Sequence, residues 1–213
     1  MQGYLAVLFD LDGTLIHSKG VIGSCINNTL VHFGLPPFEK NELHDLVGVP
    51  LAEALAKRTG DTKPLIDYFR KLYISNYKEG TWIYDGMESV LSNLKDRDKK
   101  IGIVTLKATF VAKEVLKGLE LMNYVDAVEG DDDISDLKPS PDQINRICRQ
   151  LDVSPGKTVM VGDTSMDILA GKNAGCGTIG VLWGAMTMDT LVEAGADYLA
   201  RDTEELLEIL NRF

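Results

Sequence analysis

Short apolar runs and helix-spaced apolar positions alternate over most of the chain. The first run, Tyr4 to Phe9, is unbroken, as expected of a strand covered on both faces rather than one. Further runs follow at Ile101 to Thr105, Tyr124 to Val128, Thr158 to Gly162, Gly177 to Leu182 and, more briefly, Tyr198-Leu199. Between them the spacing predicts helices over 86–94, 109–119, 141–151, 165–174, 188–194 and 204–210. Asp202 or Thr203 offers an N-cap for the last of these, with acidic residues in its first turn. Strand and helix in alternation predict an α/β fold: a Rossmann-like, mostly parallel sheet flanked by helices.

Residues 16–79 break this rhythm. Helical spacing recurs near 21–33, 39–47, 51–57 and 63–77, with no convincing strand. Gly34-Leu35-Pro36-Pro37 and Gly48-Val49-Pro50 punctuate the segments, because proline and glycine end helices. The expectation is a small all-helical cap domain at 16–79, inserted over the carboxyl end of the first strand. Residues 1–15 and 80–213 then form the α/β catalytic core. Ordinary helical elaboration of the core is the plain alternative.

The 213 residues are 45% hydrophobic, enough to build a full core, and 25% charged. Lys and Arg number 22 against 32 Asp and Glu, giving a formal charge of -10 and no basic stripe for nucleic acid or an anionic membrane. Cys25, Cys148 and Cys176 are widely spaced, and His17, His32 and His44 lack the rhythm of zinc ligands. A reducing compartment fits that usage. The first strand begins within a few residues of Met1, leaving no room for a signal peptide, and no apolar run is long enough to span a bilayer. The expected location is cytoplasmic.

Charge becomes chemistry at the strand ends. Asp10 and Asp12 stand two residues apart where the first run stops, and Gly13 lets the chain turn away. Two carboxylates in one site call for a cation, a shared proton or both. Thr105 ends the second run and Lys107 follows it. Lys138 comes after the acidic stretch Glu129 to Asp133, and the fourth run delivers Asp163 and Asp167. In a parallel sheet all these tips lie on one side, where open α/β folds place ligands. Each residue alone has a bland reading. Asp163 could cap the helix from Ser165, Asp167 could face solvent, Thr105 could be a β-branched strand residue and Lys138 a surface charge. Together they suit Mg²⁺-dependent phosphoryl transfer. Asp10 is the nucleophile that forms an acyl phosphate, and Asp12 is the general acid and base. Asp163 joins Asp10 and the backbone carbonyl of Asp12 around Mg²⁺, with Asp167 binding directly or through water. Thr105 and Lys138 hold the phosphoryl oxygens.

These motifs resemble those of the haloacid dehalogenase-like hydrolase superfamily. Asp10-Leu11-Asp12-Gly13-Thr14 matches its first motif, Thr105 its second, Lys138 its third and Gly162-Asp163-Thr164-Ser165-Met166-Asp167 its fourth. Within it the chain is similar to the phosphoglycolate phosphatase-like branch, which includes pyrophosphatases of the same build. The resemblance implies Mg²⁺, an aspartyl-phosphate intermediate and a cap that closes over a small phosphorylated metabolite. Asp12 points to phosphatase rather than dehalogenase chemistry. One departure is Leu106, where relatives of phosphoglycolate phosphatase carry a polar residue, commonly Asn; Leu106 cannot make that amide's hydrogen bonds. His17, Val47, Gly48, Val49 and Lys107 are the positions expected to select the leaving group, while Lys57 and Arg58 read as exposed helix charge. Phosphoglycolate leads the expected substrates, followed by pyrophosphate and sugar phosphates, with a β-phosphoglucomutase-like enzyme still open. A phospho-receiver signalling module shares the residue inventory, but the helical insert and the Asp163–Asp167 pair oppose it.

Overall fold

A computed structural model describes residues 3–44, 46, 48–132 and 137–212. The chain divides into two compact units, residues 1–17 with 83–213 and residues 18–82.

In the larger unit, β1 (Ala6–Phe9) is wholly buried, which explains its unbroken apolar run. It pairs in parallel with β4 (Lys100–Val104) on one side and β6 (Thr158–Gly162) on the other. β5 (Ala127–Glu129) extends the sheet beyond β4, and β7 (Gly177–Val181) and β8 (Tyr198–Ala200) extend it beyond β6. The order is therefore β5-β4-β1-β6-β7-β8. The chain winds outward from β1 to β5, then returns to β6 and winds the other way. The direction reverses between β1 and β6, which makes their carboxyl ends the crevice of the sheet.

Helices α5 (Met87–Asp96), α6 (Thr109–Gly118), α7 (Asp142–Leu151), α8 (Ser165–Ala174), α9 (Met188–Glu193) and α10 (Thr203–Asn211) connect or follow these strands. One packed layer joins Leu8 of β1 and Met160 of β6 to Ile144, Ile147 and Cys148 of α7. Asp202 caps α10 by accepting the Glu205 N–H. Two local expectations are corrected. The run Tyr124 to Val128 becomes strand only at 127–129, because Asp126 turns its carboxylate onto the Ile101 N–H and the Lys95 ammonium before pairing starts. Ile16, read as part of the helical stretch, lies with His17 in a two-residue strand, β2, which forms a ribbon with β3 (Trp82–Ile83).

The smaller unit holds α1 (Lys19–His32), α2 (Lys40–His44), α3 (Leu51–Ala56) and α4 (Lys63–Asn76). α1 buries Cys25, Ile26, Thr29 and Leu30, and α4 buries Leu65, Phe69 and Tyr73 at helical spacing. Arg58, expected as exposed charge, instead lies over the Phe38 ring at 4.1 Å and donates to both carboxylate oxygens of Glu42. Among the described residues no helix is long and apolar enough to cross a membrane.

Candidate active site

Where β1 ends, the chain folds into a tight turn. Gly13 adopts φ +93° and donates its N–H to the Ile16 carbonyl, a backbone state that side chains disfavour. That turn holds Asp10 and Asp12 at the crevice. Directly beside it, β6 ends in Gly162 and delivers Asp163, while the first turn of α8 supplies Asp167.

Carboxylate oxygens of Asp10, Asp163 and Asp167 lie within 4.8 Å of one another. Asp10 is 7% exposed, Asp163 1% and Asp167 0%. Lys138, 3% exposed, reaches into the cluster and donates to Asp10 Oδ1 at 2.7 Å, Asp167 Oδ1 at 2.5 Å and the Val104 carbonyl at 3.1 Å. Burial alone would depress the Lys138 ammonium, but Asp10 and Asp167 beside it push it above its ordinary value. Burial also drives the Asp10 carboxyl well above the usual carboxylate range; Lys138 pulls it back while Asp167 and Asp163 push it further. Asp163 rises to about 7, chiefly through burial and the neighbouring Asp167, against the opposing Ala185 N–H, Thr14 hydroxyl and Lys138.

Asp167 does not face solvent. Its Oδ2 accepts the Thr164 N–H at 3.0 Å and the Thr164 hydroxyl at 2.6 Å, and its own N–H points back to Thr164 Oγ1. This capping box makes Thr164, not Asp163, the cap of α8 and fixes Asp167 over the cluster. Asp12 pairs with Lys107 Nζ at 3.1 Å, which brings Lys107 to the same edge. Thr105 is buried at the end of β4, and its hydroxyl oxygen accepts the Lys107 N–H at 3.1 Å. His17 sets its ring edge-on to Tyr84, with centroids 6.1 Å apart. Gly48 and Val49 form a turn before α3 in the helical unit, Gly48 at φ +77°. Val47 lies outside the described residues.

One residue absent from the sequence expectations organises this edge. Gln143, fully buried on α7, donates to the Thr105 carbonyl at 3.2 Å and the Gly130 carbonyl at 2.9 Å, and accepts the Lys138 N–H at 3.3 Å. It ties the ends of β4 and β5 to the loop bearing Lys138. A helix-start glutamine gives no local signal of such a task.

The donor set fits Mg²⁺. Three buried carboxylates supply hard oxygen ligands, and one ammonium cannot balance them. Burial first, and the neighbouring carboxylates second, hold the Asp10 and Asp163 carboxyls above the usual carboxylate range. A buried acidic cluster of this kind, opening at the switch point of a parallel sheet, marks an Mg²⁺-dependent phosphatase working through an aspartyl phosphate. The chain belongs to the haloacid dehalogenase-like hydrolases, whose family profile matches residues 7–181. Pyrophosphatase PpaX of Bacillus mycoides is 32% identical over 207 residues, covering 97% of this chain and 96% of the relative. Phosphoglycolate phosphatase of Aquifex aeolicus is 31% identical over 207 residues, covering 96% of each. A haloacid dehalogenase-like family hydrolase from Streptococcus pneumoniae shares the fold, with a TM-score of 0.87, 24% identity and coverage of 99% of this chain and 100% of the other.

Proposed function

We propose that the protein releases phosphate from small phosphorylated metabolites, with inorganic pyrophosphate as the leading substrate. Asp10 supplies the nucleophile. Lys138 engages its Oδ1, and among the described residues its Oδ2 accepts no hydrogen bond, so that oxygen can attack phosphorus and form the acyl phosphate. Asp12 donates a proton to the leaving oxygen and later takes one from the attacking water. The Thr105 hydroxyl and the Lys138 ammonium hold the phosphoryl oxygens. Asp10, Asp163 and the Asp12 carbonyl hold Mg²⁺, with Asp167 close behind; the bound ion supplies the positive charge the cluster lacks. Residues 18–82 act as the cap that selects the leaving group, with His17, Gly48 and Val49 as contributors.

The observation that carries the reading is Lys138 spanning Asp10 and Asp167 inside a buried acidic cluster. Two features favour pyrophosphate. The Lys107 ammonium beside Asp12 adds a cation on the side from which a charged leaving group departs, and relatives named pyrophosphatase match nearly the whole chain. Phosphoglycolate is the second reading, supported by the Aquifex aeolicus relative.

The test is Mg²⁺-dependent phosphate release from pyrophosphate, phosphoglycolate, sugar phosphates and nucleotides, ranked by kcat/KM. Pyrophosphate should rank first, and mass spectrometry of quenched enzyme should find phosphate on Asp10. A sharp preference for a nucleotide overturns the substrate assignment. Isomer formation without phosphate release makes the enzyme a mutase. Undiminished turnover by Asp10→Asn removes Asp10 as nucleophile.

A further inference from the structure

Both oxygens of Asp163 are held by the protein itself. The Thr14 hydroxyl donates to Oδ1 at 3.1 Å and the Ala185 N–H donates to Oδ2 at 2.8 Å. The Met186 N–H donates to the Asp163 carbonyl at 3.3 Å, and its sulfur accepts the Ser165 N–H. These partners come from two segments, the turn after β1 and the loop that follows β7. The loop comes in very close: a Cβ on Gly184 would stand 2.2 Å from Asp163 Cβ and 2.4 Å from its Oδ2. A Cβ on Gly13 would stand 2.3 Å from the same Oδ2. Trp183 locks the two segments together, its indole N–H donating to the Thr14 carbonyl at 3.1 Å.

We propose that residues 183–186 form a clasp that fixes the Asp163 carboxylate and gives the cation site its preference for Mg²⁺ over Ca²⁺. The inference rests on Asp163 being a metal ligand, as proposed above. Mg²⁺ demands near-ideal octahedral geometry at roughly 2.0–2.1 Å, whereas Ca²⁺ accepts about six to eight oxygens at longer range and often takes a carboxylate through both oxygens. A carboxylate tied at each oxygen cannot swing to offer both. It presents a lone pair at a set place, which suits the smaller ion. Partners that orient a metal ligand typically contribute about 10–100-fold to metal affinity.

Titration calorimetry of the metal-stripped protein with Mg²⁺ alone and with Ca²⁺ alone tests this, with a melting curve for each variant. Gly184→Ala, which forces Asp163 and the loop apart, should weaken Mg²⁺ binding at least about tenfold. Its Ca²⁺ binding should change by less than about threefold, so the ratio of the two constants narrows. Trp183→Phe keeps an aromatic ring, though a smaller one, and loses the N–H, and should shift the ratio in the same direction by a smaller factor; it serves if Gly184→Ala does not fold. Unchanged Mg²⁺ affinity in a folded variant, or equal losses for both ions, overturns the clasp while leaving the wild-type Mg²⁺ site intact. Failure of the wild-type protein to bind Mg²⁺ overturns the metal reading itself, and the clasp with it.

Discussion

Replacing Lys138 by Met separates the electrostatic task of this lysine from its bulk. In the wild-type protein its ammonium meets Asp10 at 2.7 Å and Asp167 at 2.5 Å, with its side chain 2% exposed. The methionine fills much of the same space but leaves three buried carboxylates with no cation among them. Removing one partner of a buried ion pair typically costs about 3–5 kcal/mol. For a chain of this size each kcal/mol moves Tm by about 2–4 °C, so the metal-free variant should melt roughly 6–20 °C lower at pH 8. The pH dependence has a definite sign. Asp10 and Asp163 both have folded-state values above those of an unfolded chain. The stability they contribute is complete below the ordinary carboxylate value and is lost as pH rises through the folded one, about 7 for Asp163. The deficit should therefore be largest at pH 8, shrink by pH 5, and be partly reversed by Mg²⁺ at pH 8. Calorimetric melts in EDTA and in Mg²⁺ across pH 5–8 measure all three. A variant melting within about 1 °C of wild type in EDTA at pH 8 would refute the account of the cluster as short of positive charge.

Other outcomes follow from the same geometry. Asp12→Asn should accumulate phosphorylated enzyme on mixing with substrate and lower turnover about 10²–10⁴-fold, read by rapid quench. Gln143→Leu leaves the Thr105 and Gly130 carbonyls and the Lys138 N–H without their partner. Each buried group so stranded costs about 1–3 kcal/mol, so Tm should fall and kcat/KM should drop more than Mg²⁺ affinity does. Because Mg²⁺ competes with a proton on Asp163, its dissociation constant should rise as pH falls below about 7, with proton uptake by the buffer measurable calorimetrically.

The strand-end residues were legible in the sequence because a parallel sheet brings its carboxyl ends to one edge whatever their separation along the chain. Asp10 and Lys138 lie 128 residues apart and still meet. Helices with strong apolar spacing, such as α5 and α7, were legible for a similar reason: one face must be buried. The reciprocal bonds that fix Asp167 at the cluster were not. A first-turn aspartate looks alike in sequence whether it caps inward or points to solvent, and only the Thr164 reciprocal bonds decide it. Gln143 and Trp183-Gly184-Ala185 left no trace because their work is done on backbone groups, or on side chains, of distant segments; Trp183 and Thr14 are 169 residues apart. The two-residue strands β2 and β3 are too short for any alternation to show.

The position of β1 in the middle of the sheet also shapes how the protein is made. A ribosome releases this apolar strand long before either neighbour, since β4 starts at Lys100 and β6 at Thr158. The nascent chain therefore carries a sticky, unpaired segment until β4 emerges near the middle of the sequence, and such late, distant pairing slows folding. A message truncated between these two strands would yield a polypeptide with its nucleophile in place and half of its sheet missing, a natural client for chaperones and proteases.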